Sequence, residues 1–314
     1  MKKILVTGGS GFLGNHLCRE LVKNKNEVIC LDDLSSGFKE NINDLMKFSN
    51  FKFIFHDVTK PIEIEVDQIY NLACPASPVQ YQKNPIKTTI TSVLGTLNIL
   101  KLAKKNNAKV LQASTSEVYG NPKINPQNEQ YWGNVNPIGV RSCYDEGKRC
   151  AETLCMDFKR QHSVDVKIIR IFNTYGPQMS QNDGRVVSNF IMQSLNNKQL
   201  TVYGNGEQTR SFCYVNDLIS GFILAMNNND VNGVLNLGNP EENRIIDIAS
   251  LIIKMTNSNS KIKFTTLPED DPVQRKPDIS KAIDILKWSP KVNFKEGIKE
   301  TIDWFNSKYN KQSI

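Results

Sequence analysis

Residues 3–14 read KILVTGGSGFLG, in which an apolar, β-branched run passes into a glycine-rich turn. Gly8, Gly11 and Gly14 stand three residues apart in this turn. An amphipathic helix is predicted to follow over 11–24. Glycines at this spacing permit a tight turn and let a pyrophosphate approach the backbone N–H groups at the positive end of a helix. The stretch therefore predicts a strand–turn–helix unit that binds a dinucleotide.

The same alternation of strand and helix continues through the first two thirds of the chain. Further strands are predicted at EVICLDD, FKFIFHDV, DQIYNLA, KVLQASTSE and DVKIIRIF, and further helices over 85–105 and 142–162. Strands joined by helix-length crossovers form a parallel sheet covered on both faces, since right-handed crossovers pack helices against it. We therefore expect an α/β fold with a Rossmann-like, doubly wound parallel sheet.

The pattern becomes less regular after residue 176. Short strands are predicted at QLTVYG and GVLNLGN, and helices near 186–196, 216–227, 245–255 and 295–306. We predict a sheet domain over 1–176, to which segments near 211–240 return, and a smaller, partly interleaved C-terminal substrate domain over 177–314. The polar, proline-bounded stretch LPEDDPVQRKPDI, residues 267–279, is predicted to be an ordered loop at their junction.

Composition and charge exclude several classes of protein. The chain has 314 residues, which suits two domains, and 39 Lys and Arg against 32 Asp and Glu give a net charge of +7. The basic residues are dispersed without an aromatic-spaced stripe, which argues against nucleic-acid binding. No apolar run approaches about 18 residues, so we expect a soluble, cytoplasmic protein that does not associate with membranes.

Seven cysteines, an odd number, occur without a C-x-x-C pair, and the chain has three histidines. This pattern fits neither a disulfide framework nor a zinc site, so no metal is expected. We interpret the cysteines as small buried hydrophobic residues in a reducing compartment.

Asp32 ends the second strand at the expected distance from the glycine turn, where its carboxylate can bind the ribose hydroxyls. The segment DDLSSG, residues 32–37, has no Arg or Lys that would neutralise a 2′-phosphate, and Asp32 itself would repel one. We therefore predict NAD rather than NADP as the cofactor. Asp57 and Val58 end the third strand and are placed to flank the adenine, although a solvated turn aspartate is a comparable interpretation of Asp57.

Tyr144 and Lys148, in SCYDEGKRCAE, lie four residues apart on a predicted helix and so share one face. A phenol has an unperturbed pKa of about 10, and a nearby ammonium stabilises the phenolate. The pair is therefore interpreted as a general base that acts on a hydroxyl. A surface tyrosine beside an exposed lysine is the alternative, but the dinucleotide turn upstream and the strand that ends in STSE favour catalysis.

Four motifs, TGGSGFLG, STSEVYG, YDEGK and FNTYGP, resemble in order and spacing those of the extended short-chain dehydrogenase/reductase family of nucleotide-sugar enzymes. The match runs from Ile4 to Phe305. More narrowly, NLACPASP, YWGNVNPIGVRSCYDEGKRCAET, DGRVVSNF, QTRSFCYV and RKPDI are similar to the UDP-glucuronate decarboxylases of that family. The resemblance implies decarboxylation of UDP-glucuronate to UDP-xylose through a 4-keto intermediate, with NAD reduced and re-oxidised in one cycle. Another NAD-dependent nucleotide-sugar 4-epimerase or 4,6-dehydratase is the alternative.

In the implied reaction, Tyr144 removes the proton from the 4-hydroxyl of the sugar with help from Lys148 and Thr115. Dehydratases of the family usually have Asp-Glu where this chain has Ser116 and Glu117, and simple epimerases usually lack the glutamate. The pair therefore favours decarboxylation. Glu117 is expected to position the sugar or a proton-donating water, and a strand-end carboxylate held by backbone donors is the alternative.

The resemblance also implies the residues of each site. The catalytic residues are Thr115, Ser116, Glu117, Tyr144, Lys148 and Arg275. The residues for NAD are Gly8, Gly11, Phe12, Leu13, Gly14, Asp32, Gly37, Asp57, Val58, Leu72, Thr91, Ala113, Tyr144 and Lys148. The residues for the UDP-sugar are Asn173, Arg185, Tyr203, Arg210 and Arg275.

Two positions depart from the family pattern. Ile90 stands where animal members tend to have lysine, and Gln178 follows YGP where arginine is usual. We expect both to affect substrate affinity rather than the chemistry. Members of the family pair through the two helices predicted over 85–105 and 142–162, so the resemblance implies a homodimer.

Overall fold

The computed structural model describes residues 1–267 and 274–309. Within them the strands are β1 (Lys3–Thr7), β2 (Glu27–Asp32), β3 (Phe51–Phe55), β4 (Gln68–Asn71), β5 (Lys109–Thr115), β6 (Val166–Ile171), β7 (Thr174–Tyr175), β8 (Leu200–Tyr203), β9 (Thr209–Ser211), β10 (Cys213–Tyr214), β11 (Gly233–Leu237), β12 (Glu242–Arg244) and β13 (Ile262–Thr265). The α-helices are α1 (Phe12–Lys23), α2 (Pro78–Lys83), α3 (Pro85–Ile90), α4 (Thr96–Asn106), α5 (Ser142–His162), α6 (Val186–Leu195), α7 (Val215–Asn227), α8 (Ile245–Met255), α9 (Ser280–Leu286) and α10 (Phe294–Tyr309).

Seven parallel strands form the central sheet, in the order β11-β6-β5-β4-β1-β2-β3. The chain runs outward from β1 to β3 on one side and continues from β4 to β11 on the other. The order therefore reverses between β1 and β4, which pair directly with each other. Ligands bind at such a reversal, outside the carboxyl ends of the strands. The predicted doubly wound sheet is confirmed.

Helices cover both faces of the sheet, and two hydrophobic cores result. Adjacent residues Leu5 and Val6 of β1 point to opposite faces and belong to different cores. The Val6 core includes Phe222 of α7, whereas the Leu5 core includes Leu100 of α4. Because both faces are covered, β1 and β5 are buried along nearly their whole length.

Strand β11 joins the sheet beside β6, with Gly233 opposite Lys167. A segment near 211–240 therefore returns to the sheet. The other late strands form small separate pairs, β8 with β13 and β9 with β12. The boundary drawn at residue 176 stays a prediction.

The helix predicted over 85–105 is confirmed as one continuous helical run, in which a π-helical turn over Thr91–Gly95 lies between α3 and α4. Gly95 packs on Val58 here, and an added Cβ would lie 2.8 Å from Val58 Cγ2. Helices α2 and α9 were not predicted. Of the loop predicted over 267–279, residues 268–273 lie outside the described residues. Among the residues that are described, no helix combines the length and apolar character needed to cross a bilayer.

The seven cysteines are free thiols, and four of them, Cys18, Cys30, Cys155 and Cys213, are buried. Cys150 on α5 is exposed to solvent. The interpretation of the cysteines as buried hydrophobic residues is therefore wrong for Cys150.

Candidate active site

A groove opens where the strand order reverses, and we call it the cofactor groove; its lining includes Gly8, Asp32 and Leu72 at the ends of β1, β2 and β4. Gly8 has φ +67°, a left-handed conformation that favours glycine. A Cβ on Gly14 would lie 2.1 Å from the Gly8 carbonyl oxygen, so α1 can start this close to the loop only with glycine there. Gly11 precedes α1 without a side-chain cap, which leaves the first N–H groups of the helix to bind a phosphate.

The Asp32 carboxylate is held at the rim of the groove by backbone donors. Its Oδ2 accepts the Ser10 N–H at 3.0 Å, and its Oδ1 accepts the Leu34 N–H at 2.8 Å. Burial raises the pKa of Asp32 above its usual value, although these hydrogen bonds oppose the shift. Gly37 packs against Ser10 Oγ, where an added Cβ would lie 2.3 Å away. The groove therefore presents a fixed acceptor for sugar hydroxyls beside a phosphate-binding helix end, and it fits a dinucleotide.

The structure places every residue predicted for NAD in the lining of this groove except Asp57. The Asp57 carboxylate instead pairs with Lys87 Nζ and accepts the Thr59 N–H at 2.9 Å. The predicted role of Asp57 beside the adenine stays a prediction, and its pairing with Lys87 differs from the alternative of a solvated turn aspartate. Its neighbour Val58 does line the groove.

Tyr144 and Lys148 lie one turn apart on α5 and are both buried. Lys148 Nζ donates to the Ala113 carbonyl oxygen at 2.8 Å and lies 5.8 Å from the centroid of the Tyr144 ring. Burial raises the pKa of Tyr144, and a hydrogen bond with Thr115 opposes the shift. Lys148 and Tyr144 share one face of α5, as their spacing indicated, and the assignment of Tyr144 as the base stays a prediction.

Tyr81 of α2 is a site residue that sequence reasoning missed. Its ring stacks on that of Tyr144, with centroids 4.9 Å apart and planes inclined by 4°. The stack restrains the plane of the Tyr144 ring and buries both phenols. The segment PVQYQK that carries Tyr81 has no periodic or charge signal that marks a site, so only the packing of α2 on α5 shows the contact.

A second cavity adjoins the cofactor groove and shares Ser114, Tyr144 and Arg185 with it. We call it the arginine chamber after the arginines in its lining, Arg141, Arg185, Arg210 and Arg275. The chamber also contains Thr115, Ser116, Glu117, Asn173 and Tyr203. The structure therefore brings together all the residues predicted for catalysis and for the UDP-sugar, with Lys148 on the groove side.

Glu117 lies between two arginines in this chamber. Its Oε2 accepts Arg141 Nη2 at 2.6 Å and Arg275 Nη2 at 2.9 Å, and its Oε1 pairs with Arg275 Nη1. Burial disfavours the carboxylate, but the charges of Arg275 and Arg141 prevail and lower the pKa of Glu117 to about 2. Glu117 is thus an ionised acceptor held by side chains, which differs from the alternative of a carboxylate held by backbone donors.

Arg141 and Asp145 are two further residues that sequence reasoning missed. Arg141 precedes α5 and stands one turn before Tyr144, so a basic residue at this spacing was the available signal. Asp145 follows Tyr144, and its buried Oδ1 has no hydrogen-bond partner in the described part of the chain. Burial and the negative charge of Glu117 raise the pKa of Asp145 to about 7, against the opposing effects of Arg141 and Arg275.

The two departures from the family pattern fall in different places. Gln178 lines the cofactor groove, with φ +67°. Ile90 lies exposed near the end of α3 and lines neither the groove nor the arginine chamber. Ile90 therefore does not line either cavity, and the expectation that it affects substrate affinity is not supported by a direct contact.

Comparisons with known proteins agree with this site. The sequence model of the NAD dependent epimerase/dehydratase family matches residues 4–238. UDP-glucuronic acid decarboxylase 1 of Xenopus tropicalis is 53% identical over 312 residues, which are 99% of this chain and 74% of the relative. UDP-glucuronic acid decarboxylase 3 of Arabidopsis thaliana is 55% identical over 297 residues, 94% of this chain and 86% of the relative. The chain belongs to the UDP-glucuronic acid decarboxylases of this family.

A solved structure from the wider family is also similar. UDP-glucuronic acid 4-epimerase from Bacillus cereus, in complex with UDP-glucuronic acid and NAD, superposes with a TM-score of 0.88 at 29% identity and covers 98% of this chain and 100% of that chain. The resemblance expected from the motifs is therefore confirmed. The family to which this chain belongs is NAD-dependent, and the similar solved structure contains NAD. The chain therefore uses NAD, and the predicted cofactor is confirmed as well.

Proposed function

We propose that this chain converts UDP-glucuronate into UDP-xylose and carbon dioxide. The observation that carries the proposal is the position of the Glu117–Arg141–Arg275 cluster in the same chamber as Tyr144 and Thr115. A group that oxidises a sugar hydroxyl thus lies beside arginines that suit a carboxylate. The curated relatives carry the name UDP-glucuronic acid decarboxylase, which supports the same reaction.

The charges of the chamber suit an acidic nucleotide sugar. Arg141 and Arg275 hold the ionised Glu117 in the cluster, and guanidinium groups of this kind also suit the carboxylate of a uronic acid. Arg185 and Arg210 lie in the same chamber and suit the diphosphate, since guanidinium groups bind phosphate oxygens in pairs. Arg185 also pairs with Asp183, with Nη2 2.9 Å from Oδ1, which fixes its position before substrate binds.

Tyr144 is assigned as the base that removes the proton from the 4-hydroxyl of the sugar. Thr115 lies with Tyr144 in the same chamber and is assigned to bind the same oxygen. NAD held in the cofactor groove, where Gly8, Gly11 and Asp32 lie, would supply the hydride acceptor for C4 and the hydride donor for the return step. Lys148 holds its ammonium on the Ala113 carbonyl oxygen at 2.8 Å and adds a positive charge on the same face of α5. These residues together convert the 4-hydroxyl into a ketone.

The 4-keto sugar is a β-keto acid, so its carboxylate leaves as carbon dioxide while the electrons of the broken bond move into the C4 carbonyl. No metal is required for this step, because the ketone is the electron acceptor. Glu117, with a pKa of about 2, carries no proton at neutral pH and therefore positions Arg141 and Arg275 rather than protonating C5. Water supplies the proton at C5, and the reduced cofactor in the groove would supply the hydride that restores the 4-hydroxyl.

We also propose that the chain forms a homodimer and is located in the cytoplasm. Ile86, Ile90 and Leu94 are exposed at four-residue spacing on α3 and the π turn, where they form an apolar stripe. Helix α3 packs on α5, so the stripe lies beside the second helix of the expected interface. Seven free thiols suit a reducing compartment.

The test is an incubation of purified protein with UDP-glucuronate and NAD, with released carbon dioxide measured and the sugar product followed by NMR. We expect stoichiometric carbon dioxide and UDP-xylose without net NADH, and a strongly reduced rate of product formation with Tyr144→Phe. UDP-galacturonate without carbon dioxide would instead identify a 4-epimerase. Loss of water from the sugar would identify a dehydratase, and either result contradicts the proposal.

A further inference from the structure

Arg275 lies on a short segment, residues 274–278, which we call the Arg275 strap. The strap belongs to no strand or helix, yet Arg275 is buried and its guanidinium meets both oxygens of Glu117. The attraction between two buried charges offsets the cost of removing them from water only when the geometry of the pair is accurate. The position of the strap must therefore be set by contacts elsewhere.

Gln127 supplies those contacts. Its N–H donates to the Lys276 carbonyl oxygen at 2.9 Å, and its side-chain Oε1 accepts the Lys276 N–H at 2.9 Å. Its carbonyl oxygen accepts the Asp278 N–H at 2.8 Å. Gln127 thus pairs with the strap through its backbone and side chain together, and an isolated parallel bridge joins it to Pro277. The residue is buried and lines neither the cofactor groove nor the arginine chamber.

Asn236 of β11 holds both partners at once. Its Nδ2 donates to the Gln127 carbonyl oxygen at 3.0 Å and to the Asp278 carbonyl oxygen at 3.1 Å. Its Oδ1 accepts the Tyr119 hydroxyl at 2.7 Å. Asn236 is fully buried at the edge of the central sheet, so it anchors the strap to a rigid element.

These contacts form a closed ring of residues that includes Glu117 and Arg275 of the cluster. Tyr119 and Glu117 belong to the same 3₁₀ turn, Ser116–Tyr119, which follows β5. The ring therefore runs from Glu117 through Arg275 and the strap to Gln127, from there to Asn236, and through Tyr119 back to the turn that carries Glu117. The strap and the turn are thereby both attached to one strand of the central sheet, β11.

We propose that Gln127 and Asn236 are positioning residues that set the Arg275 guanidinium on Glu117 and so prepare the chamber to bind the carboxylate of the substrate. The inference rests on the proposed function, because it assigns to Arg275 the uronate carboxylate as a ligand. Gln127 and Asn236 act only through Arg275. Removing either is expected to weaken substrate binding and turnover without affecting the cofactor groove.

The experiment is a double-mutant cycle between Gln127→Ala and Arg275→Ala. We expect Gln127→Ala alone to lower kcat/KM for UDP-glucuronate by about 10- to 100-fold, the range for a misplacement of roughly 1 Å in an active site. In the Arg275→Ala background the same change should cost less than about 3-fold, because the residue through which it acts is gone. NAD affinity should stay within about 2-fold of the wild type in all four proteins.

The matched control is Asn106→Ala. Asn106 also holds the backbone of a distant segment with a side-chain amide, since its Nδ2 donates to the Ile64 carbonyl oxygen at 3.1 Å and its Oδ1 accepts the Val66 N–H at 3.3 Å. It lines neither the groove nor the chamber. Its replacement should leave turnover unchanged, even where it lowers the melting temperature.

An equal loss from Gln127→Ala in both backgrounds would overturn the inference, and so would an unchanged kcat/KM in the single variant. If Gln127→Ala does not fold, Tyr119→Phe replaces it in the same cycle, because this change removes only the hydroxyl that orients Asn236. In parallel, the affinities for UDP-glucuronate and for UDP are measured and compared. This binding measurement does not require an active enzyme. A wild-type protein that releases no carbon dioxide contradicts the proposed function, whereas additive losses of binding contradict the ring.

Discussion

The cofactor groove and the arginine chamber meet at Tyr144, yet they recognise their ligands with different parts of the chain. In the groove the backbone dominates, since the first N–H groups of α1 have no side-chain cap and even Asp32 is held by the N–H groups of Ser10 and Leu34. In the chamber charged side chains dominate, and Glu117 is held by Arg141 and Arg275.

The difference lies in sequence distance. The groove motif and Asp32 fall within the first 32 residues, so local order alone assembles much of that site. The ion pair between Glu117 and Arg275 joins residues 158 positions apart. A site of the first kind tolerates changes elsewhere in the fold, whereas a site of the second kind depends on every segment that holds its members.

The largest expected effect is at the junction of the two sites. Tyr144→Phe removes only the ionisable oxygen, so turnover should fall by about 100- to 10,000-fold, the usual contribution of a general base. Affinity for NAD and for UDP-sugar, measured by calorimetry, should change little because each ligand keeps its own site. Tyr70→Phe is the control, since the buried Tyr70 hydroxyl has no partner in the described residues and lines neither cavity. Full activity of Tyr144→Phe would show that Tyr144 is not the base.

An intermediate effect is expected in the groove alone. Asp32→Ala removes the acceptor for the ribose hydroxyls, and a hydrogen bond to a charged group contributes about 1.5–3 kcal/mol, so NAD affinity should fall by roughly 10- to 100-fold. The affinity for UDP, measured on the same preparation, should not change. An equal loss of both affinities would show that the two sites are not separable in this way.

The smallest expected effect is at Asp145, which follows the chamber residue Tyr144 on α5, and it depends on pH. Burial and Glu117 raise the pKa of Asp145 to about 7, so the stability this carboxyl contributes is complete below its unfolded pKa of about 4 and is lost as the pH rises through about 7. Asp145→Asn, which never ionises, should therefore melt at least about 2–4 °C above the wild type at pH 8, and this advantage should shrink as the pH falls and be small at pH 4. An advantage of the same size at both pH values would exclude titration of Asp145 as its cause.

Much of the groove was predictable because its functional residues lie only a few positions apart in the sequence. Glycines three residues apart indicated the turn, and a tyrosine and a lysine four apart indicated one helix face. Asp57 shows the limit of this reasoning. It stands at the expected strand end, but Lys87 from α3 takes its carboxylate, and no pattern around residue 57 contains that lysine.

The chamber was predictable only as far as the family motifs reached. The resemblance placed Glu117 and Arg275 in the site but assigned no contact between them, and Arg141, Tyr81 and Asp145 were missed. Gln127 and Asn236 carry no signal at all in the sequence, since buried amides that bind backbone atoms are defined by partners rather than by neighbours.

The amino-acid sequence by itself determined the doubly wound sheet, the dinucleotide turn, the preference for NAD and the face of α5 that carries Tyr144 and Lys148. These features follow from periodicity and local conformational preference, which act over a few residues. Only the tertiary structure decided the ionisation of Glu117, the raised pKa of Tyr144 and the docking of the Arg275 strap. Those properties depend on burial and on charges that distant segments bring within a few ångströms of one another.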